Sequence, residues 1–297
     1  MLDPSRAGGI FRYDAKNLNA GETIWVDNDN QCHQVYDAPA VDAHYYAGVT
    51  YDFYKSKFGR LSYDNADSKI ESIVHQSAGY NNAFWSVGAK KIYYGDGNGV
   101  KIRPLSGALD MVAHEFTHGV SSNEAGLIYE NESRAISESL SDIFGTLAEF
   151  SFKPATVNWL IGEDVYKPAT AGDPDHMDHK YLGTEDNGGV HWNSGILNKA
   201  AYLISEGGTH RGLTVAGIGK DKMGKIMYKV MTEYLYSNSD FMNFALSSKD
   251  AAKVLYGNNS PKYLAVRDAF VAVGILPKPL AVSLYKIKYA LDLLYHP

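Results

Sequence analysis

The stretch His114-Glu115-Phe116-Thr117-His118, read with Ser137-Glu138-Ser139-Leu140-Ser141-Asp142 further on, decides how the rest of the chain is understood. On a helix, residues four apart lie one turn above each other, so the imidazoles of His114 and His118 can reach one metal ion. Leu109, Val112, Ala113, Phe116 and Val120 supply the helical period and a buried stripe. His114, Glu115 and His118 fall largely off that stripe, facing a cleft, and Ser106 is expected near the N-cap. A second helix over roughly 132–150 buries Ile136, Leu140, Ile143 and Leu147 and stacks Glu138 over Asp142, so both carboxylates point the same way.

Catalytic zinc takes three protein ligands and keeps one position for water, and two histidines with one glutamate suit it. His114, His118 and Glu138 form that set. Glu115 is placed to take a proton from the water as general base. Asp142 is the candidate for fixing one imidazole through its other nitrogen.

Composition narrows the setting. With 297 residues, 45% of them apolar, the chain can bury a large core in one domain or two packed ones. Its net charge of -6 comes from scattered acids without a basic stretch, which argues against nucleic acid as a partner. Cys32 is the single cysteine, so no intramolecular disulfide can form. The start, Met1-Leu2-Asp3-Pro4-Ser5, has neither the basic nor the apolar region of a secretory signal. No run reaches the roughly 18 apolar residues that span a bilayer, so integral membrane association is not expected.

In the first hundred residues, aromatic and β-branched stretches alternate with turn signals such as Asp27-Asn28-Asp29-Asn30, which predicts a twisted, mostly antiparallel sheet. One helix interrupts it, marked by Val41, Tyr45, Val49 and Phe53. Between Phe150 and Asn193 the chain reads as long loops rich in Pro, Gly and Asp. Three further helices are expected near 195–206, 221–235 and 261–273, the last with Ser260 as N-cap and Pro261 at the first helical position. The fold class is α+β. A sheet-rich N-terminal lobe (1–125) contains the His114 helix, a helical C-terminal lobe (126–275) follows, and an amphipathic tail (276–297) closes the chain, its role unassigned.

Beyond the ligands, four blocks occur in order: Tyr36-Asp37-Ala38-Pro39-Ala40-Val41-Asp42-Ala43-His44-Tyr45-Tyr46, Gly79-Tyr80-Asn81-Asn82-Ala83-Phe84-Trp85, Ala125-Gly126-Leu127-Ile128-Tyr129-Glu130-Asn131-Glu132 and Gly188-Gly189-Val190-His191-Trp192-Asn193-Ser194-Gly195. Over roughly Gly9 to Val273 the chain resembles the thermolysin-like neutral zinc metalloproteases. The resemblance implies a two-lobed fold with the active-site cleft between the lobes, and cleavage of peptide bonds through a zinc-activated water. It implies zinc ligation by His114, His118 and Glu138, with Glu115 as the base. It also implies that Tyr129 and His191 donate to the oxyanion, that Asp186 orients His191, and that Asn82, Ala83 and Trp85 pair with substrate backbone. Ile102, Leu105, Met111 and Val165 align with the pocket that selects a bulky apolar residue after the cut bond. Peptide or protein substrates, a monomer and an extracellular, secreted setting complete what it implies.

The chain also departs from that family. The segment from Glu163 to His191 is shorter than in relatives and holds no arginine to grip a substrate carbonyl, a task for which Lys167 and Lys180 offer no bidentate fork. Ser137 replaces a usual asparagine beside the third ligand, which predicts weaker support for His118. Asp110, Glu149 and Glu163 match calcium ligands of a paired site, but Asn158 and Leu160 replace two further acids, so one calcium ion is expected there rather than two. Asp27, Asp29 and Gln31 match a separate calcium site. The N-terminal sheet is expected to be trimmed. Two rivals accompany the endopeptidase reading. One is an impaired homologue that binds zinc and peptides without efficient cleavage. The other, an aminopeptidase, lacks an acidic Gly-x-Met-Glu-Asn motif upstream of His114.

Overall fold

The computed structural model describes residues 3–26, 31–32, 34–155, 157–166 and 172–278. The elements run β1 (Ile10–Asp14), β2 (Thr23–Ile24), α1 (Ala38–Phe58), β3 (Ile70–Val74), β4 (Ala83–Ser86), β5 (Lys91–Tyr94), α2 (Leu109–Glu124) and α3 (Asn131–Phe152). They continue with α4 (Asp186–Glu206), β6 (Gly208–His210), β7 (Leu213–Val215), α5 (Lys220–Glu233), α6 (Phe241–Tyr256) and α7 (Pro261–Ala272).

The five-stranded sheet has the order β2-β1-β3-β5-β4, with β1–β3 and β3–β5 parallel and only the two outer pairs antiparallel. It is therefore mixed, not mostly antiparallel. A parallel pair needs a long crossover, and α1 supplies it between β1 and β3. Central strand β3 is buried at every position, as a strand covered on both faces must be. Strand β4 is an edge, with one side paired to β5 and the other open.

Helix α1 lies where its periodicity predicts, but of the residues that mark that period only Phe53 is buried. Ala40, Ala43, Ala47, Tyr51 and Tyr54 pack inward while Tyr45 is exposed. Small alanines let the helix lie close to β1 and β3, an arrangement a stripe of large residues does not reveal. Helix α2 keeps its expected stripe, with Leu109, Val112, Phe116 and Val120 fully buried, each contributing about 1.5–3 kcal/mol relative to exposure. Ser106 is not its N-cap. It sits in a 3-10 turn over Leu105–Gly107 and donates to the Pro39 carbonyl, while Ala108 occupies the cap position.

Helix α3 buries Ile136, Leu140, Ile143 and Leu147 and packs between α2 and α4. Gly145 makes the close approach to α2 feasible, since a Cβ there would lie 2.6 Å from the Asp110 carbonyl oxygen. Helix α4 opens with a left-handed turn over Asp186–Gly189, so its right-handed part begins near Val190, a few residues before the expected 195, and α6 lies outside the three expected helices. Asp240 and Asn243 form a reciprocal capping box at the start of α6, and Ser260 caps α7 as expected. Among the described residues, no helix is long and apolar enough to cross a membrane.

Candidate metal centre and cleft

Helix α2 presents His114 and His118 one turn apart, with their Nε2 atoms 3.0 Å from each other. The other nitrogen of each ring is engaged elsewhere. His114 Nδ1 donates to Asp142 Oδ1 at 2.9 Å, and Asn198 holds the second Asp142 oxygen. His118 Nδ1 meets the hydroxyls of Ser137 at 3.1 Å and Ser141 at 3.0 Å, so its support comes from two short side chains where weaker support was expected. With both Nδ1 atoms fixed, both Nε2 lone pairs are left for one point in space.

Glu138 Oε2 lies 3.3 Å from each Nε2, and the three donor groups fall within 4.8 Å of one another. Among the described residues this is the one such cluster. Both Glu138 oxygens are buried without a hydrogen bond, although Arg134 Nε stands 2.7 Å from Oε1 as an ion pair. Arg134 thus pairs with one oxygen, and Oε2, turned towards both imidazoles, is the one left to ligate a metal ion. Burial pushes the Glu138 carboxyl up, yet the neighbouring imidazoles of His118 and His114, with Arg134, hold it well below the usual carboxylate range. Burial likewise opposes charge on His114, but Asp142 and Glu138 overcome it and raise that imidazole.

The donors open into a cavity of about 320 Å³ that also takes in Glu115, Tyr129, Arg134, His191 and the β4 segment Asn82-Ala83-Phe84. Glu115 is buried at 4% exposure, whereas Tyr129 and His191 are more than half exposed at the mouth. His191 is set by its own local turn. Asp186, Asn187, Gly188 and Gly189 all have positive φ, which folds the Asp186 carboxylate back onto the His191 amide and Nδ1, each at 2.8 Å. A Cβ at Gly189 would lie 2.5 Å from the Tyr181 ring, so the turn needs glycine there. His191 Nε2 then lies 3.6 Å from Glu138 Oε2.

Other anticipated residues are placed less uniformly. Met111 lines the cavity, but Leu105 and Val165 are buried away from its lining, and Ile102 bridges to Tyr166. The Trp85 ring packs on Tyr63, with its backbone still on the open edge strand. Asp110, Glu149 and Glu163 are near one another without forming a tight ligand group. Asp110 Oδ2 accepts from the Gly162 amide, Asn158 donates to Glu163, and Lys153 Nζ lies 2.8 Å from both Glu149 and Asp164. Gln31 is exposed, while Asp27, Asp29 and Lys167 lie outside the described residues, as does most of the tail 276–297. Sequence reading missed Phe84, Ile161, Asp173, Ser194 and Arg134 as cavity residues. Two of these had a signal: Arg134 is four residues before Glu138, and Ser194 three after His191.

A helix-borne His-Glu-x-x-His pair, a glutamate from the next helix and a cleft between a sheet and a helical bundle define a zinc metallopeptidase type of centre. Comparison with known proteins agrees with that class. The family model for the thermolysin metallopeptidase catalytic domain matches residues 1–122, and that for the alpha-helical domain matches 125–275. The chain belongs to the thermolysin family of metallopeptidases. Bacillolysin from Bacillus caldolyticus and thermolysin from Alicyclobacillus acidocaldarius subsp. acidocaldarius are each 50% identical over 289 residues, covering 93% of this chain and 53% and 52% of theirs. The chain thus spans about half the length of these curated relatives. The solved precursor of protealysin, a metalloproteinase from Serratia proteamaculans, matches with a TM-score of 0.75 and 32% identity, covering 91% of this chain and 89% of that one.

Proposed function

We propose that the chain is a zinc-dependent endopeptidase acting on peptides or proteins, with a bulky apolar residue favoured after the cut bond. The observation that carries this is the convergence of His114 Nε2, His118 Nε2 and Glu138 Oε2 beside Glu115 in an open cleft. His114, His118 and Glu138 would hold zinc, which would supply Lewis acidity towards the peptide carbonyl and the attacking water.

The remaining chemistry falls to the chain's own residues. Glu115 accepts the proton of the attacking water and can return it to the leaving amine. His191, oriented through Nδ1 by Asp186 and donating from Nε2 as the imidazolium, and Tyr129 donate to the oxygen on which negative charge develops. The open edge of β4 at Asn82-Ala83-Phe84 pairs with an extended substrate backbone, and Met111 offers an apolar wall. No finding favours an impaired homologue.

Three further readings go with this one. One calcium ion, not two, binds near Asp110, Glu149 and Glu163, because Lys153 already provides one positive charge there. The lobes divide near residue 125, and the protein acts outside the cell as a monomer. Zinc-loaded full chain and its Glu115→Ala variant, assayed on casein and on an internally quenched peptide, test the main reading. Wild type is expected to cleave about two to four orders of magnitude faster. Equal rates would overturn the endopeptidase reading.

A further inference from the structure

The first turn of α3 sends Arg134 into the cleft, and the chemistry proposed above makes no use of it. Arg134 lies four residues before Glu138 on the same helix face, with Nε 2.7 Å from Glu138 Oε1. Its guanidinium carbon sits 4.1 Å from the centre of the Tyr129 ring, and the side chain is 17% exposed. The guanidinium is therefore clamped between a zinc-ligand carboxylate and an aromatic face, both of which line the cavity.

That clamp uses only part of what an arginine offers. The guanidinium carries five N–H donors in a rigid fork, and Glu138 meets it at the Nε edge. Among the described residues, nothing is hydrogen-bonded to either Nη group, and Arg134 lines the cavity with Tyr129, Glu138 and His191. Balancing Glu138 alone would need a point charge, not a planar fork laid over a ring. Because the ring and the carboxylate already fix the side chain, little conformational freedom is lost when the free edge binds something. The segment from Glu163 to His191 contains no arginine, so a guanidinium at this wall of the cleft comes from α3.

We propose that Arg134 is a substrate-positioning residue. With Nε held by Glu138, its Nη groups donate to a backbone carbonyl oxygen of the bound peptide next to the bond that is cut. Its closeness to Glu138 limits its reach to the residues flanking that bond. The β4 edge grips the backbone from one wall while Arg134 grips it from the other. This rests on the endopeptidase reading, and the test keeps the two apart.

Equilibrium binding is measured on the zinc-loaded Glu115→Ala chain, with and without Arg134→Met. The ligands are an apolar peptide and its analogues in which the carbonyl before or after the central amide is reduced to methylene. Zinc affinity is followed in parallel by chelator competition. Arg134→Met is expected to weaken the parent peptide by about tenfold or more, with a much smaller change in zinc affinity. One reduced analogue is expected to bind both chains equally weakly, and Arg134→Lys to recover only part of the loss. If Arg134→Met weakens parent and analogues alike, or lowers zinc affinity as much as peptide affinity, Arg134 only props Glu138 and the proposal falls. A chain that binds none of the peptides overturns it too. If the carbonyl-dependent loss is seen but wild type cleaves nothing, the endopeptidase reading fails while the assignment of Arg134 stands.

Discussion

Helix α3 buries two glutamates, Glu138 in its first half and Glu149 near its end; each pairs with a cation four residues away, but only Glu138 also faces imidazoles. Glu138 faces two imidazole nitrogens and one guanidinium and keeps both oxygens free of hydrogen bonds. Glu149 is met at Oε1 by the Lys153 ammonium, which also reaches Asp164, and only its Oε2 is buried without a hydrogen bond. Where two imidazole nitrogens and a carboxylate oxygen converge within 4.8 Å of one another, a metal ion is the natural completion. Where the chain supplies its own ammonium, much of the charge is already balanced and the demand for an added ion is smaller. The contrast separates a centre built around a metal from an acidic cluster that a metal only trims.

Three changes probe that contrast. The largest effect is expected from Glu138→Gln, which keeps the shape of the side chain and removes its charge. Zinc should be lost in chelator competition and cleavage should fall to the level of Glu115→Ala; retention of zinc at wild-type affinity would show that Glu138 is not a ligand. Next come His191→Ala and Tyr129→Phe, each expected to lower kcat about 100- to 1000-fold with zinc affinity unchanged. A change confined to KM would remove them from the oxyanion role.

The smallest effect belongs to the acidic cluster and is read as stability. Burial raises Asp110 from 3.8 to about 7, with the Gly162 amide pulling it back and Glu149 and Glu163 pushing it up. The folded chain then keeps a proton that the unfolded chain releases near pH 4. Stability in calcium-free buffer should therefore fall as pH rises from about 4 to about 7, by no more than about 4 kcal/mol, and level off above. Calcium favours the ionised carboxylate and should flatten that slope in Tm against pH. The same slope with and without calcium would remove Asp110 from any calcium site.

How much of this was legible in sequence depended on whether the determining contacts are local. The cage was, because i,i+4 spacing on α2 and the apolar period of α3 fix which way His114, His118 and Glu138 face. Sheet order was not: strand composition does not say whether β1 and β3 run parallel, since that depends on where α1 packs. Helix α6 escaped because its buried face is largely small, Ala245, Ser248, Ala251 and Ala252, although the Asp240 and Asn243 cap marked its start. The beginning of α4 was hidden by Gly188-Gly189, which read as loop but form the left-handed turn that orients His191. Arg134 was visible at helical spacing from Glu138, yet only the ring of Tyr129 beneath it shows that it points into the cleft.

The most direct test is stepwise return of zinc to the chelated chain, with hydrolysis of an internally quenched peptide followed at each addition. Activity should rise in proportion to zinc and level off at one ion per chain, with no recovery in Glu138→Gln. Undiminished turnover in the metal-free chain, or recovery in the variant equal to wild type, would contradict a peptidase built on His114, His118 and Glu138.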